Sequence, residues 1–178
     1  MTTFKMLAAA CVAALATISI AAAQQPPGAA PTPATPAPAA APPLPYGPPI
    51  TTEKAEKALA AAKAEAQKNN WPVAISIVDS GGHLVVFSRM ENTQTASIAI
   101  AHGKAKTAVE FRRPTKFFQD QLATGGAAVR FLAVPGLTPL EGGVLIVSDG
   151  KIIGGIGVSG VASSDDAIVA MAGANAAK

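Results

Sequence analysis

The second part of the chain alternates between helical and strand-like patterns of apolar residues. Alanine and leucine recur at helical spacing from Thr51 to Asn70, where Trp71-Pro72 ends the helix. A nearly continuous β-branched run, 73–78, is followed by the turn Asp79-Ser80-Gly81-Gly82 and by a second apolar run, 83–89. Two such runs around a short glycine turn predict a β-hairpin.

A second hairpin follows two further helices. Helices are predicted over about 95–112 and over 115–123, with Thr115 as the cap of the latter. Asp149-Gly150 then separates the apolar runs 144–147 and 151–158, which is a strong hairpin signal.

The last helix is expected to begin at Ser163 or Ser164 as its cap, with Asp165 and Asp166 in its first turn. Two hairpins separated by helices predict an α+β domain, an antiparallel sheet faced by helices, rather than a parallel βαβ array.

The N-terminus has a different pattern. Lys5 precedes an uncharged apolar run, 6–23, that ends in three alanines. This arrangement is typical of a secretory signal peptide over residues 1–23. An uncleaved membrane anchor is the alternative, since the run just reaches bilayer thickness, but its alanine content and small-residue end favour cleavage. We therefore expect a periplasmic or secreted protein with no membrane span after cleavage.

Residues 24–50 are rich in proline and alanine. Eleven of the fifteen prolines lie between Pro26 and Pro49, and the segment has no charge and no hydrophobic periodicity. Such a sequence cannot bury enough apolar surface to fold, so it predicts a disordered linker. The folded domain is then expected over 51–178.

Charge and cysteine content exclude several classes of protein. From Thr51 onward there are 13 basic and 11 acidic residues, a net charge of +2. This balance argues against a nucleic-acid partner, which needs massed basic residues. The single cysteine, Cys11, excludes a disulfide framework and a Cys-rich metal site.

The last predicted strand is followed by a glycine motif that invites two readings. Residues 155–160 spell G-x-G-x-x-G, but only eighteen residues follow Gly160, too few for the second parallel strand of a dinucleotide fold. Ser159 does not form a nucleophile elbow, because Val161 stands where glycine would be required. The glycines are better explained by the close approach of a backbone, a ligand or a neighbouring subunit.

Six polar residues are candidates for a binding site. His83 and His102 offer imidazoles that could bind a haem iron or a transition metal. Lys104 and Thr107 lie three apart on one helical face and could point into one cleft. The remaining candidates are Asp79, expected to cap the amides of the glycine turn, and Arg89, expected to end a strand in water.

Separated segments in a fixed order resemble one family. They are 72–84 (P-V-A-I-S-I-V-D-S-G-G-H-L), 87–90 (F-S-R-M), 104–108 (K-A-K-T-A), 135–143 and 154–160 (G-G-I-G-V-S-G). On these segments the chain resembles the GlcG/HbpS family of haem-binding-like proteins and the C-terminal domain of PduO-type proteins. The resemblance spans essentially all of 52–178.

The resemblance implies a profilin-like domain with a central antiparallel sheet of about five strands, assembled into oligomers from dimers to octamers. It also implies haem or another tetrapyrrole as the small-molecule ligand. His83 lies inside a matched segment and is ranked above His102 as the iron ligand. Lys104, Thr107 and Asp79 would line the pocket, and Lys104 or Arg89 would pair with a haem propionate.

The favoured function is a secreted oligomeric binding protein that stores, transfers or reports haem. An enzyme acting on a small organic acid or aldehyde, with Asp79, Lys104 or His83 as acid–base groups, is the alternative. A purely structural assembly domain is the third. The sequence contains no nucleophile motif, metal cluster or phosphate loop, and this favours binding over catalysis.

Overall fold

The computed structural model describes residues 42–178, so the predicted signal peptide, most of the linker and Cys11 lie outside the described residues. Four strands and four α-helices are described. The elements, in chain order, are α1 (Thr52–Lys68), β1 (Ala74–Asp79), β2 (Leu84–Arg89), α2 (Ser97–Glu110), α3 (Lys116–Ala123), a 3₁₀ segment (Gly126–Ala133), β3 (Gly143–Ser148), β4 (Lys151–Ser159) and α4 (Ser163–Ala176). The α+β prediction is confirmed.

The strands form one sheet in the order β2-β1-β4-β3, and every neighbouring pair is antiparallel. The described part of the chain thus has four strands instead of about five. A short parallel bridge joins Tyr46 to Ile152 beyond the end of β1, and the Ile50 amide donates to the Ile153 carbonyl at 2.8 Å. Ile50 is buried, so contacts with the sheet include residues just before Thr51, where composition predicts the start of the domain.

Helices cover both faces of the sheet. On one face, α1 and α4 pack together over the main core, where α1 contributes four fully buried alanines against Ile75 and Ile77. Small side chains let helix and sheet approach closely. On the other face, α2 lies over β1, β4 and β3, and Ala105 and Val109 pack on Val78.

The glycines of β4 receive a specific explanation. A Cβ added at Gly157 would collide with the backbone of α2 at Ala101 and Ala105, and one at Gly155 would lie 2.9 Å from the Ala105 carbonyl oxygen. The approaching group is therefore a helix backbone within the same domain. Because β4 is antiparallel to both neighbours, the dinucleotide interpretation of 155–160 is also excluded by the topology.

The predicted helix caps have mixed outcomes. The Thr51 hydroxyl accepts a hydrogen bond from the Lys54 amide, as expected of an N-cap. Thr115 does not cap α3, because its hydroxyl accepts from the Gly143 amide at 2.8 Å. The prediction for α4 is also wrong: Ala162 precedes the helix without a side-chain cap, and Ser163 is its first residue.

None of the helices in residues 42–178 is long and apolar enough to cross a bilayer.

Candidate functional site

The β1–β2 turn holds two of the predicted site residues on the surface. The Asp79 carboxylate accepts from the amides of Gly81, at 2.8 Å, and His83, at 2.9 Å. Burial raises the pKa of Asp79, but these amide bonds and the nearby His83 ring together hold it below its usual value of 3.8. The His83 side chain is 83% exposed and lies 3.4 Å from Asp79. The hydrogen bonds of the Asp79 carboxylate therefore stay within the turn, and the His83 ring lies in solvent.

His102 has a different environment on α2. Its Nδ1 lies 3.2 Å from the hydroxyl of Ser76, a fully buried residue of β1. The ring is half-buried, and the hydrogen bond at Nδ1 leaves Nε2 as the nitrogen open to a ligand. The position therefore combines a fixed ring with a free coordinating atom.

The open region between the edge strand β2 and α2 is called the β2–α2 groove and is defined by Leu84, Phe87, Ile98, His102 and Lys106. In the sheet register, Phe87 lies opposite Ser76 and Leu84 opposite Val78, so both point to the α2 side. Leu84 is 55% exposed and Ile98 is 38% exposed, because β2 is the edge strand and α2 does not cover it. Ile98 and Lys106 lie one helical turn before and after His102.

Lys104 is turned away from this groove. Its ammonium donates to an Asp166 carboxylate oxygen at 2.8 Å and to the Val158 carbonyl oxygen at 2.8 Å. Both side chains are at most 2% exposed. Burial lowers the pKa of Lys104 and raises the pKa of Asp166, because the loss of hydration outweighs their mutual attraction. This pair joins α2 to α4 at one end of the sheet.

Thr107 is also engaged inside the domain. It is fully buried, and its hydroxyl accepts from the Thr138 amide at 2.9 Å. It therefore anchors the loop before β3 to α2. Lys104 and Thr107 share the buried side of the helix, as their spacing predicted, but protein groups occupy their polar atoms.

Arg89 ends β2 and is exposed. Its side chain lines a recess of about 580 Å³ beside the C-terminal end of α1, together with Lys63 and Trp71. A smaller recess of about 350 Å³ lies beside Ile50 and Asp149. Neither recess is lined by His83 or His102.

The predicted site residues therefore do not form one cluster. The Lys104 ammonium contacts the carbonyl oxygen of Val158 in β4. Asp79 pairs with Gly154, which lies four residues before Val158 in the same strand. Four residues of strand span about 13 Å, so Lys104 and Asp79 belong to opposite ends of the sheet. Of the acid–base candidates of the enzyme alternative, Asp79 and His83 lie together at the β1–β2 turn, whereas Lys104 lies at the other end of the sheet. No group of three potential metal ligands occurs among residues 42–178.

Sequence reasoning missed Ser76, Phe87, Lys106 and Asp166. A sequence feature could have indicated Ser76, since it is the one hydroxyl residue inside the apolar run 73–78. Helical spacing could have indicated Lys106 and Ile98, because each lies one helical turn from His102. Nothing local indicated Asp166 as the partner of Lys104, which lies 62 residues earlier.

Comparison with known proteins identifies the class to which this fold belongs. Residues 50–175 match the family model described as haem degrading protein HbpS-like. The chain therefore belongs to the HbpS-like family, and the resemblance stated from its motifs is confirmed.

Individual relatives agree with this assignment. Protein GlcG of Escherichia coli strain K12 is 45% identical over 110 residues, which cover 62% of this chain and 81% of GlcG. A crystal structure of a double mutant of Streptomyces reticuli HbpS superposes with a TM-score of 0.67 at 33% identity, covering 79% of this chain and 97% of that one. A crystal structure of a PduOC–haem complex gives a TM-score of 0.66 at 29% identity, covering 72% and 94%.

Proposed function

We propose that this chain is an exported haem-binding protein that holds the iron through His102 in the β2–α2 groove. The observation that carries the proposal is the hydrogen bond between His102 Nδ1 and the buried Ser76 hydroxyl, at 3.2 Å. In the tautomer that binds iron, Nδ1–H donates to Ser76 and Nε2 carries the free lone pair. Haem in a related PduOC structure and the haem-directed name of the family support the same ligand.

The groove residues suit a flat amphipathic macrocycle. Leu84, Phe87 and Ile98 offer apolar contacts around the imidazole, and Lys106 provides a cation at one end of the groove. The Lys106 ammonium is 3.7 Å from Glu110 and its side chain is 42% exposed, so it can pair with a propionate. When bound, haem would supply redox chemistry at its iron, while these residues would orient it and limit its contact with water.

His102 replaces His83 as the preferred ligand for a physical reason. A coordinating imidazole is normally fixed by a hydrogen bond from its other nitrogen and shielded on one side. His102 meets both conditions. His83 projects into solvent, with 83% of its side chain exposed.

The groove is open on one side, so we infer that a second copy of the chain covers it. Exposed Leu84 and Ile98 would then be buried at a contact between protomers. Export by the predicted signal peptide would place this oligomer in the periplasm or outside the cell.

Hemin titration of the purified protein tests the ligand and the iron-binding residue together. We expect a saturable, shifted Soret band for the unaltered chain and for His83→Ala. His102→Ala should either lack the shifted Soret band or bind hemin at least about tenfold more weakly. His83→Ala is the matched control because it removes the other imidazole. An unchanged titration in His102→Ala, or no saturable binding in the unaltered chain, would contradict the proposal.

A second candidate function, degradation of the bound haem, is supported by the family description. With ascorbate as reductant and dioxygen present, degradation predicts a Soret band that decays faster in the protein than in free hemin. A stable band under these conditions favours binding without turnover.

A further inference from the structure

The larger recess, here called the α1–β2 recess, contains neither histidine and has no part in the haem proposal. It lies between the end of α1 and the end of β2, and its volume of about 580 Å³ is typical of small-molecule sites. Its lining combines half-buried apolar side chains with polar ones, which are exposed except for the half-buried Lys63.

The apolar floor is formed by Trp71, Pro72 and Met90. Trp71 and Met90 also pack against the main core. The backbone holds both in place, because the Trp71 amide donates to Ala66 at 2.9 Å and the Met90 amide donates to Val73 at 3.0 Å. The indole and thioether therefore present a preformed surface to a flat apolar group.

Charge at the rim favours an anion. Lys63 and Arg89 line the recess with a single carboxylate, Glu91. All eleven acidic residues of the chain lie within the described part, yet neither Lys63 nor Arg89 is within ion-pair distance of any of them. Two cations that have no internal partner remain available to a carboxylate, which arginine can bind through two parallel hydrogen bonds.

Two of the lining residues have left-handed backbone conformations. Asn70 follows α1 with φ of 56°, and Asn92 follows β2 with φ of 63°. These left-handed positions turn the chain sharply on both sides of the floor. The recess thus lies where the backbone turns at the ends of α1 and β2.

We propose that the α1–β2 recess is a second binding site, for a small carboxylate with a flat apolar body such as an aryl carboxylate. The apolar body stacks on Trp71 and the carboxylate pairs with Arg89 and Lys63. The site is separate from the β2–α2 groove, so it can be occupied with or without haem.

Trp71 provides a direct readout, because it is the only tryptophan of the chain. The full chain is titrated with benzoate, and with benzamide as the neutral analogue of the same shape, while tryptophan fluorescence is recorded. We expect a saturable change with benzoate and binding of benzamide that is weaker by about tenfold or more, since a charge-assisted hydrogen bond is lost.

Variants locate the binding. Arg89→Gln and Lys63→Gln should each weaken benzoate binding by about tenfold. Lys57→Gln, on an exposed position of the same helix outside the recess, should leave it unchanged. Equal binding of benzoate and benzamide, a non-saturable fluorescence change, or equal affinities of Arg89→Gln and Lys57→Gln would overturn the proposal.

Two further measurements separate this site from the haem site. His102→Ala should bind benzoate with unchanged affinity, and Lys63→Gln should bind hemin with unchanged affinity. If hemin competes with benzoate for the Trp71 signal, the recess belongs to the haem site and the claim of a second site fails. If hemin does not bind at all, the benzoate titration still decides the present proposal.

Discussion

Helix α2 carries two lysines, two residues apart, in opposite environments. Lys104 faces the interior, where it is 1% exposed and donates to Asp166 and to a backbone carbonyl. Lys106 faces the β2–α2 groove, where its side chain is 42% exposed and its ammonium is 3.7 Å from Glu110.

This comparison shows that the two sides of one helix differ in burial and in the partners of their polar groups. On its buried side, polar groups are satisfied by protein partners and connect the layers of the fold. On its open side, His102 is half-buried and Lys106 is partly exposed, and this is the side that we propose binds haem. The residue type alone does not separate these roles; the position around the helix does.

The largest expected loss of stability comes from removing the ion pair on the buried side of α2. Lys104→Met leaves the Asp166 carboxylate buried without its partner, so the free energy of unfolding should fall by about 3–5 kcal/mol. Urea denaturation measures this loss. Lys106→Met is the matched control on the open side and should change stability by less than about 0.5 kcal/mol. Similar values for the two variants would remove the distinction between the two sides.

A double variant sharpens the same point. Lys104→Met combined with Asp166→Asn removes both charges, so it should be less destabilised than the sum of the two single changes. Strict additivity would mean that the two groups do not stabilise each other.

The next effect concerns the contact between α2 and the sheet. Gly157→Ala places a methyl group against the α2 backbone at Ala101 and Ala105, which cannot move without displacing the helix. We expect a loss of about 2–3 kcal/mol of unfolding free energy, measured by urea denaturation.

The comparison variant is Gly81→Ala, whose new methyl group meets the exposed His83 ring. That ring can rotate into solvent, so this variant should lose less than about 1 kcal/mol. A Gly157→Ala protein as stable as Gly81→Ala would show that the close approach of α2 is not required.

A smaller effect, on hemin affinity, is expected on the side of α2 that faces the β2–α2 groove. Ser76→Ala removes the hydroxyl that fixes the His102 ring, so hemin affinity should fall by about tenfold. Ser88→Ala is the control, since Ser88 pairs with Ile75 in the register and belongs to the opposite face of the sheet. The Soret titration measures both variants. An unaltered hemin affinity in Ser76→Ala would mean that haem binding does not depend on the hydrogen bond that orients the His102 ring.

The smallest effect is a dependence on pH at the turn beside the groove. The folded pKa of Asp79 lies below its ordinary value of 3.8, so the unfolded chain binds its proton first as the pH falls. The stabilisation is therefore complete above about pH 5 and is lost as the pH falls through the folded pKa.

Because Asp79 is near the surface, the contribution should be below about 1 kcal/mol. It is measured as the difference between the unaltered chain and Asp79→Asn in urea denaturation at neutral and acidic pH. The difference should shrink in acid, and a difference that grows in acid would reverse the sign.

Local sequence patterns determined the elements and the class of this protein. Periodicity, the Asp149-Gly150 turn and the stop at Trp71-Pro72 each act within a few residues, so two hairpins and their flanking helices were predictable and the α+β class is confirmed. The separated motifs likewise identified the family, which the match over 50–175 confirms.

Only the tertiary structure decided the partners of the polar groups. Thr115 and Ser163 were expected as caps, but the Thr115 hydroxyl binds Gly143 and Ser163 begins its helix without capping it. Lys104 meets Asp166 across 62 residues, and His102 meets Ser76 across 26. A side chain's propensity is a local property, whereas a buried hydrogen bond depends on which layers pack together. Packing of α2 against the glycines of β4 therefore decided which of its residues stay accessible.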